Sequence, residues 1–256
     1  MIMQNNYTLH EQSFLSYIEP FFQKTLEPCL VMKKDHTFRV VKNTEQIIQN
    51  LSLSDEDTYC AKLIALYHDI GRFLQYEKYQ TFLDKKSEDH ANIAVRVLKK
   101  HRQILQEPVY IQKKILTAII LHNKLKLPHK LPALYQDLCK IIRDADKIDI
   151  LRVLTENFTA SLPEKEGVLL NAKDEPLLYS PHLLEQAMQK KELKYTDIVY
   201  VNDFKIVVCA WLFVFNYSES IKILKEHNYI QTILSTLPDT KEIEAFKSLI
   251  MQRLTA

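Results

Sequence analysis

Two glycines in 256 residues constrain this chain more than any other feature. Average usage of roughly 7% would give about eighteen. The glycine-rich loops that cradle phosphates in dinucleotide- and nucleotide-binding folds need several glycines close together. Gly71 and Gly167 stand far apart, so those folds are excluded. All-β architectures lean on glycine turns and are disfavoured for the same reason. A mainly helical protein is therefore expected. Its 46% hydrophobic and 26% charged residues suit a globular chain with a real core and exclude disorder. Lys plus Arg (34) nearly balances Asp plus Glu (32), which argues against a dedicated nucleic-acid binder.

Helical periodicity recurs along the chain. Phe14, Leu15, Ile18, Phe21, Phe22 and Leu26 follow three-and-four spacing, and Val40, Val41, Ile47, Ile48 and Leu51 suggest a second helix. Further helices are predicted around 55–68, 88–101, 109–122, 131–155, 180–190, 199–217 and 239–254. Irregular stretches are predicted at 70–87, 123–130 and 161–178, the last carrying Pro163, Gly167 and Pro176 as a surface excursion. Composition does not shift across it, so a single domain over 1–256 is expected.

The longest apolar run, Ile206 to Phe215, is far short of the roughly 20 residues that span a bilayer. It predicts a buried helix that completes the core or forms a homodimer face. The N-terminus shows neither a basic nor an apolar leader pattern. Cys29, Cys60, Cys139 and Cys209 lack the close spacing of a zinc or redox pair. A cytoplasmic protein without a membrane partner is expected, although delivery by a secretion system that reads no N-terminal signal would leave no mark.

Several histidines sit where apolar residues belong. His36 shares a face with Val40, Ile47 and Leu51, and His68 follows Ala61, Ile64 and Ala65. His90 precedes Ile93, Ala94, Val97 and Leu98, whereas His122 follows Ile115, Ala118 and Ile119. Asp146 lies four residues after Ile142 and four before Ile150, and Asp69 stands beside His68. One buried imidazole is satisfied by one carbonyl. An isolated buried carboxylate is costly unless paired or metal-bound. Six such groups on five helices each need a partner, and shared divalent transition-metal ions satisfy them together. His10, His101, His129, His182 and His227 fall outside the pattern and read as surface or local structural residues.

The stretch Leu66-Tyr67-His68-Asp69-Ile70-Gly71 resembles the signature of the HD-domain superfamily of metal-dependent phosphohydrolases. Arg143-Asp144-Ala145-Asp146-Lys147-Ile148-Asp149 resembles its distal motif. His36, about thirty residues before the HD pair, resembles its first histidine, at a helix start. The likeness covers roughly 30–155 and implies an all-α HD-domain helical bundle with a C-terminal helical extension at about 180–256. His90 and His122 resemble the extra histidines of the two-metal branch. The resemblance then implies that His36, His68, Asp69 and Asp146 hold one metal. His90 and His122 hold a second, with Asp69 bridging. The ions would be two of Fe, Mn, Co, Ni or Zn. The chain lacks the HDxxED, HHExxxG and GYP patterns of branches with assigned substrates. It carries Arg72 where the nucleotidase-like branch has Glu.

The implied activity is hydrolysis of a small phosphorylated substrate, such as a nucleotide, by a metal-bridging hydroxide. Arg72 starts next to the metals with a fork that suits phosphate, and Lys147 adjoins Asp146 as a second cation or a structural ion pair. Asp144 and Asp149 would orient ligand histidines or, for Asp144 above all, lie solvated on the helix. Lys124, Lys126 and Lys130 could rim an anionic pocket or form a solvated loop. Tyr76, Tyr79 and Phe82 could stack a base or pack a lid. The same six ligands also resemble those of di-iron oxygenases within the superfamily. A non-catalytic sensor or interaction module that keeps the metals as glue is the other alternative.

Overall fold

Acidic residues open one helix and basic residues close another, as the peptide dipoles favour. Helix α3 (Asp55–Tyr67) begins with Asp55, Glu56 and Asp57, and its N-cap Ser54 accepts a hydrogen bond from the Asp57 amide at 3.1 Å. Helix α5 (His90–His101) ends on Lys99, Lys100 and His101. The computed structural model describes residues 2–24, 27–101, 106–159, 172–191 and 193–255. Leu26 of the first apolar stripe lies outside the described residues, as do Pro163 and Gly167 of the predicted excursion. Apart from one bridge between Lys173 and Tyr200, the described residues form helices and their connections, so the protein is all-α.

The chain gathers into two compact units, 1–149 and 150–256. The first unit holds α1 (Ile2–Lys24), α2 (Pro28–Ile48), α3, α4 (Gly71–Tyr79), α5, α6 (Val109–Leu121) and most of α7 (Ala133–Thr159). Its core is sewn by aromatic edge contacts from Phe14 to Phe38, Tyr67 and Phe73, at 5.9, 6.4 and 6.1 Å between ring centroids. These rings join α1, α2, α3 and α4. Full burial of a side chain such as Phe14 contributes roughly 1.5–3 kcal/mol. Helix α4 falls inside a stretch predicted irregular, because buried Gln75 replaces an apolar residue on its inner face beside Phe73. His36 sits in the middle of α2 and not at its start.

The second unit holds α8 (Pro181–Met188), α9 (Val201–Ala210), α10 (Ser218–Glu226), α11 (Tyr229–Ser235) and α12 (Lys241–Thr255). The apolar run forms the buried α9, which packs on α8 and α11 and then tightens into a 3-10 turn at Trp211–Phe213. The helix predicted over 199–217 therefore stops early. Buried Asp203 organises this unit: it accepts hydrogen bonds from the amides of Ser180, Val199 and Tyr200 and from the Ser180 hydroxyl, at 2.6 to 3.0 Å. No described helix is long and apolar enough to cross a membrane.

Candidate metal centre

Helix ends deliver most of the site. His68 is the C-cap of α3, and its Nδ1 donates to the Ala65 carbonyl at 2.8 Å. His122 caps α6 in the same way, with Nδ1 donating to the Ile119 carbonyl at 2.6 Å. Each bond satisfies a carbonyl that the last turn leaves unpaired. A carbonyl can only accept, so both rings carry their proton on Nδ1 and present a lone pair at Nε2. Asp69 lies in the tight turn between α3 and α4, and His90 opens α5. His36 comes from α2 and Asp146 from α7.

The two other histidines are held by carboxylates. His36 Nδ1 donates to Asp149 Oδ2 at 2.7 Å, and Asp149 is fixed in turn by Arg39 Nε at 2.6 Å. His90 Nδ1 donates to Asp84 Oδ2 at 2.8 Å. All four Nε2 atoms then converge on Asp69. Its Oδ2 lies 3.7 Å from His36 Nε2 and 3.9 Å from His68 Nε2. Its Oδ1 lies 3.4 Å from His90 Nε2 and 3.9 Å from His122 Nε2. Asp146 Oδ1 stands 3.2 Å from His36 Nε2 and 3.9 Å from His68 Nε2.

Two overlapping groups, His36–His68–Asp69 and Asp69–His90–His122, are close and buried enough to hold a metal ion each, and Asp69 belongs to both. Ligand atoms bound about 2.0–2.2 Å from one ion stand roughly 3–3.5 Å apart, within a few tenths of an ångström of these separations. The side chains also leave buried nitrogens that a cation could occupy. The buried His36 Nε2 and His68 Nε2 have no hydrogen-bond partner. His90 Nε2 and His122 Nε2 face each other at 3.1 Å, a spacing that two nitrogen ligands of one ion would also have. A third proximate group, Asp84, Asp89 and His90, is half-exposed, and Asn123 and Lys124 already engage Asp89.

The electrostatics of the protein without metal follow from this geometry. Burial lowers the basicity of His68, and it pushes His122 down to about 3 with help from the neighbouring His90 and His68. Burial and Lys33 oppose protonation of His36, but the nearby carboxylates of Asp146 and Asp149 outweigh them and raise it. Burial alone would raise Asp69. Lys33, Arg72 and the adjacent histidines instead hold it well below the usual carboxylate range. Burial likewise acts against the ionised Asp84, yet its bond to His90 and the charge of Arg72 bring it down to about 2.

The remaining expected residues divide. Arg72 Nη1 donates to the Phe82 carbonyl at 2.5 Å, to Gln75 Oε1 at 2.9 Å and to Asp84 Oδ1 at 3.1 Å. It thereby straps the 82–84 turn to α4, while its buried Nε, 3.4 Å from Asp69 Oδ1, makes no hydrogen bond. Burial, reinforced by Arg143, pushes the Lys147 ammonium down to about 8. Asp144 is 1% exposed, so the reading of it as a solvated helix charge is corrected. Lys124 is paired with Asp89, and Tyr76 packs on Phe82 with ring centroids 5.1 Å apart. His10 is buried between the Tyr67 hydroxyl and Glu107, a local structural role.

Sequence reasoning missed Lys33, whose Nζ lies 2.8 Å from Asp69 Oδ2, and the roles of Arg39 and Asp84. Lys33 stands three residues before His36, one helical turn away. That spacing was the available signal.

Fold and site together define a helical bundle in which buried histidines and aspartates converge. Residues 34–151 match the family model described as HD domain. This segment, which carries all six convergent residues, is thus similar to the HD-domain family over a little less than half of the chain. No curated protein and no solved structure matched the chain.

Proposed function

We propose that the centre binds two divalent transition-metal ions and hydrolyses the phosphate ester of a small substrate, with a nucleotide as the leading candidate. The observation that carries this reading is the sharing of Asp69 between two buried ligand groups whose four Nε2 atoms all face inward. His36, His68, Asp69 and Asp146 would hold one ion, and Asp69, His90 and His122 the other. Fe, Mn, Co, Ni and Zn all suit such nitrogen-rich mixed ligation. When bound, such ions lower the pKa of water and polarise phosphoryl oxygens.

The chain's own residues supply the rest. Asp149 and Asp84 fix the rings of His36 and His90, which sets the tautomer and orientation of the ligands. Arg72 Nε and the Lys147 ammonium place positive charge beside the carboxylates for a phosphate oxygen. The Tyr76–Phe82 pair offers an apolar wall to a base.

The test is phosphate release by purified protein loaded with each metal in turn, offered aryl phosphates and a nucleotide panel. Release is expected to fall to background on chelation and to return on adding back metal. Fully loaded protein that releases no phosphate from any member overturns the reading. Substrate-dependent oxygen uptake in its place would move the site to the oxygenase alternative.

A further inference from the structure

We infer that Lys33 is the binding residue for the anionic group of the substrate, and that without metal its ammonium is parked on the carboxylate that the metals require. The inference rests on the hydrolase reading above. Lys33 and His36 lie one turn apart on α2, so both project toward the same neighbours. Lys33 Nζ bonds Asp69 Oδ2 at 2.8 Å. That oxygen is the one facing His36 Nε2 and His68 Nε2. A divalent ion held by those two histidines would meet the ammonium at the same atom, and two cations that close repel strongly in a poorly solvated site.

The ammonium has somewhere to go. Its side chain is 17% exposed, against 5% for Asp69, so it stands on the solvent side of the carboxylate. Nζ also lies 5.7 Å from the centroid of the Phe82 ring, which can share its charge. Across the carboxylate, Arg72 Nε faces Oδ1 at 3.4 Å. One buried carboxylate thus carries a cation on each oxygen. When Asp69 is taken up by metal, Lys33 loses its carboxylate partner on the solvent side of the site, and a phosphate oxygen is its natural new partner. Arg72 stays strapped to the 82–84 turn by Nη1. Lys33 is therefore the residue able to follow an incoming anion.

The experiment compares wild type, Lys33→Met and Lys33→Arg by titrating the metal-free protein with Mn2+, then the Mn2+-loaded protein with inorganic phosphate. Lys33→Met keeps the stem and removes the charge. It should bind Mn2+ more tightly, on the order of tenfold, because a charged hydrogen bond no longer competes. It should bind phosphate more weakly, also on the order of tenfold. Lys33→Arg should hold both constants near wild type, which shows that charge and not packing is responsible. A merely structural lysine would weaken both in Lys33→Met, and that result overturns the inference. Phosphate binding retained by Lys33→Met overturns it alone, whereas a loaded wild type that binds no phosphate removes the hydrolase reading as well.

Discussion

Asp69→Ala is expected to strip both ions from the protein and to lower turnover by at least about three orders of magnitude. Each other ligand serves one group, but Asp69 offers Oδ2 to His36 and His68 and Oδ1 to His90 and His122. Removing it takes the shared anionic ligand from both sets and deprives Lys33 of its bonded carboxylate, while Arg72 keeps Asp84 and the first set keeps Asp146. Breaking a buried ion pair from one side costs roughly 3–5 kcal/mol, so Asp69→Asn, which keeps the shape, is the companion variant. Metal analysis after dialysis, with circular dichroism as the check on folding, should give no bound metal in either variant. His122→Ala, by contrast, should lose only the second ion. An Asp69→Asn protein that retained one ion would show that the two groups are independent.

The second large effect is expected at Gly71. A Cβ built there meets the His90 carbonyl oxygen at 2.3 Å, the Ala94 amide nitrogen at 2.6 Å and Ala94 Cα at 3.1 Å, all backbone atoms of α5. No rotamer change relieves such a clash, so α4 and α5 must separate. Overpacking of this kind costs about 3 kcal/mol or more, and the melting temperature of Gly71→Ala should fall by roughly 6–12 °C. The damage is also functional. The close approach brings the first residue of α5, His90, beside Asp69, so Gly71→Ala should lose metal at the His90–His122 group first. Thermal melting and metal titration check the two halves of the claim separately. A variant with wild-type melting temperature and two bound ions would refute the packing account.

The inward register of His68, His90 and His122 is written in the apolar residues around them, whereas the close approach at Gly71 shows only in the fold. Other features were hidden because their residue types mislead. Buried Gln75 breaks the apolar stripe of α4, yet its amide binds Asp84, Ser87 and the Glu88 carbonyl and so holds the strap over the site. Lys33, Arg39 and Asp84 look like surface charges in a helical sequence. Only the fold reveals that Lys33 and Arg39 each face a buried carboxylate and that Asp84 meets His90 and Arg72. Asp144 misled in the same way. The break after Ala210 is invisible in an unbroken apolar run, because the 3-10 turn at Trp211–Phe213 uses residues equally at home in a helix.

The most direct test of the central claim is anomalous diffraction from crystals of the wild-type protein grown with Mn2+ or Fe2+. Two peaks about 3.5–4 Å apart are predicted, on either side of Asp69, one bounded by His36, His68 and Asp146 and the other by His90 and His122. A single peak, or density that leaves His90 and His122 without a metal, would contradict the dinuclear centre and the chemistry built on it.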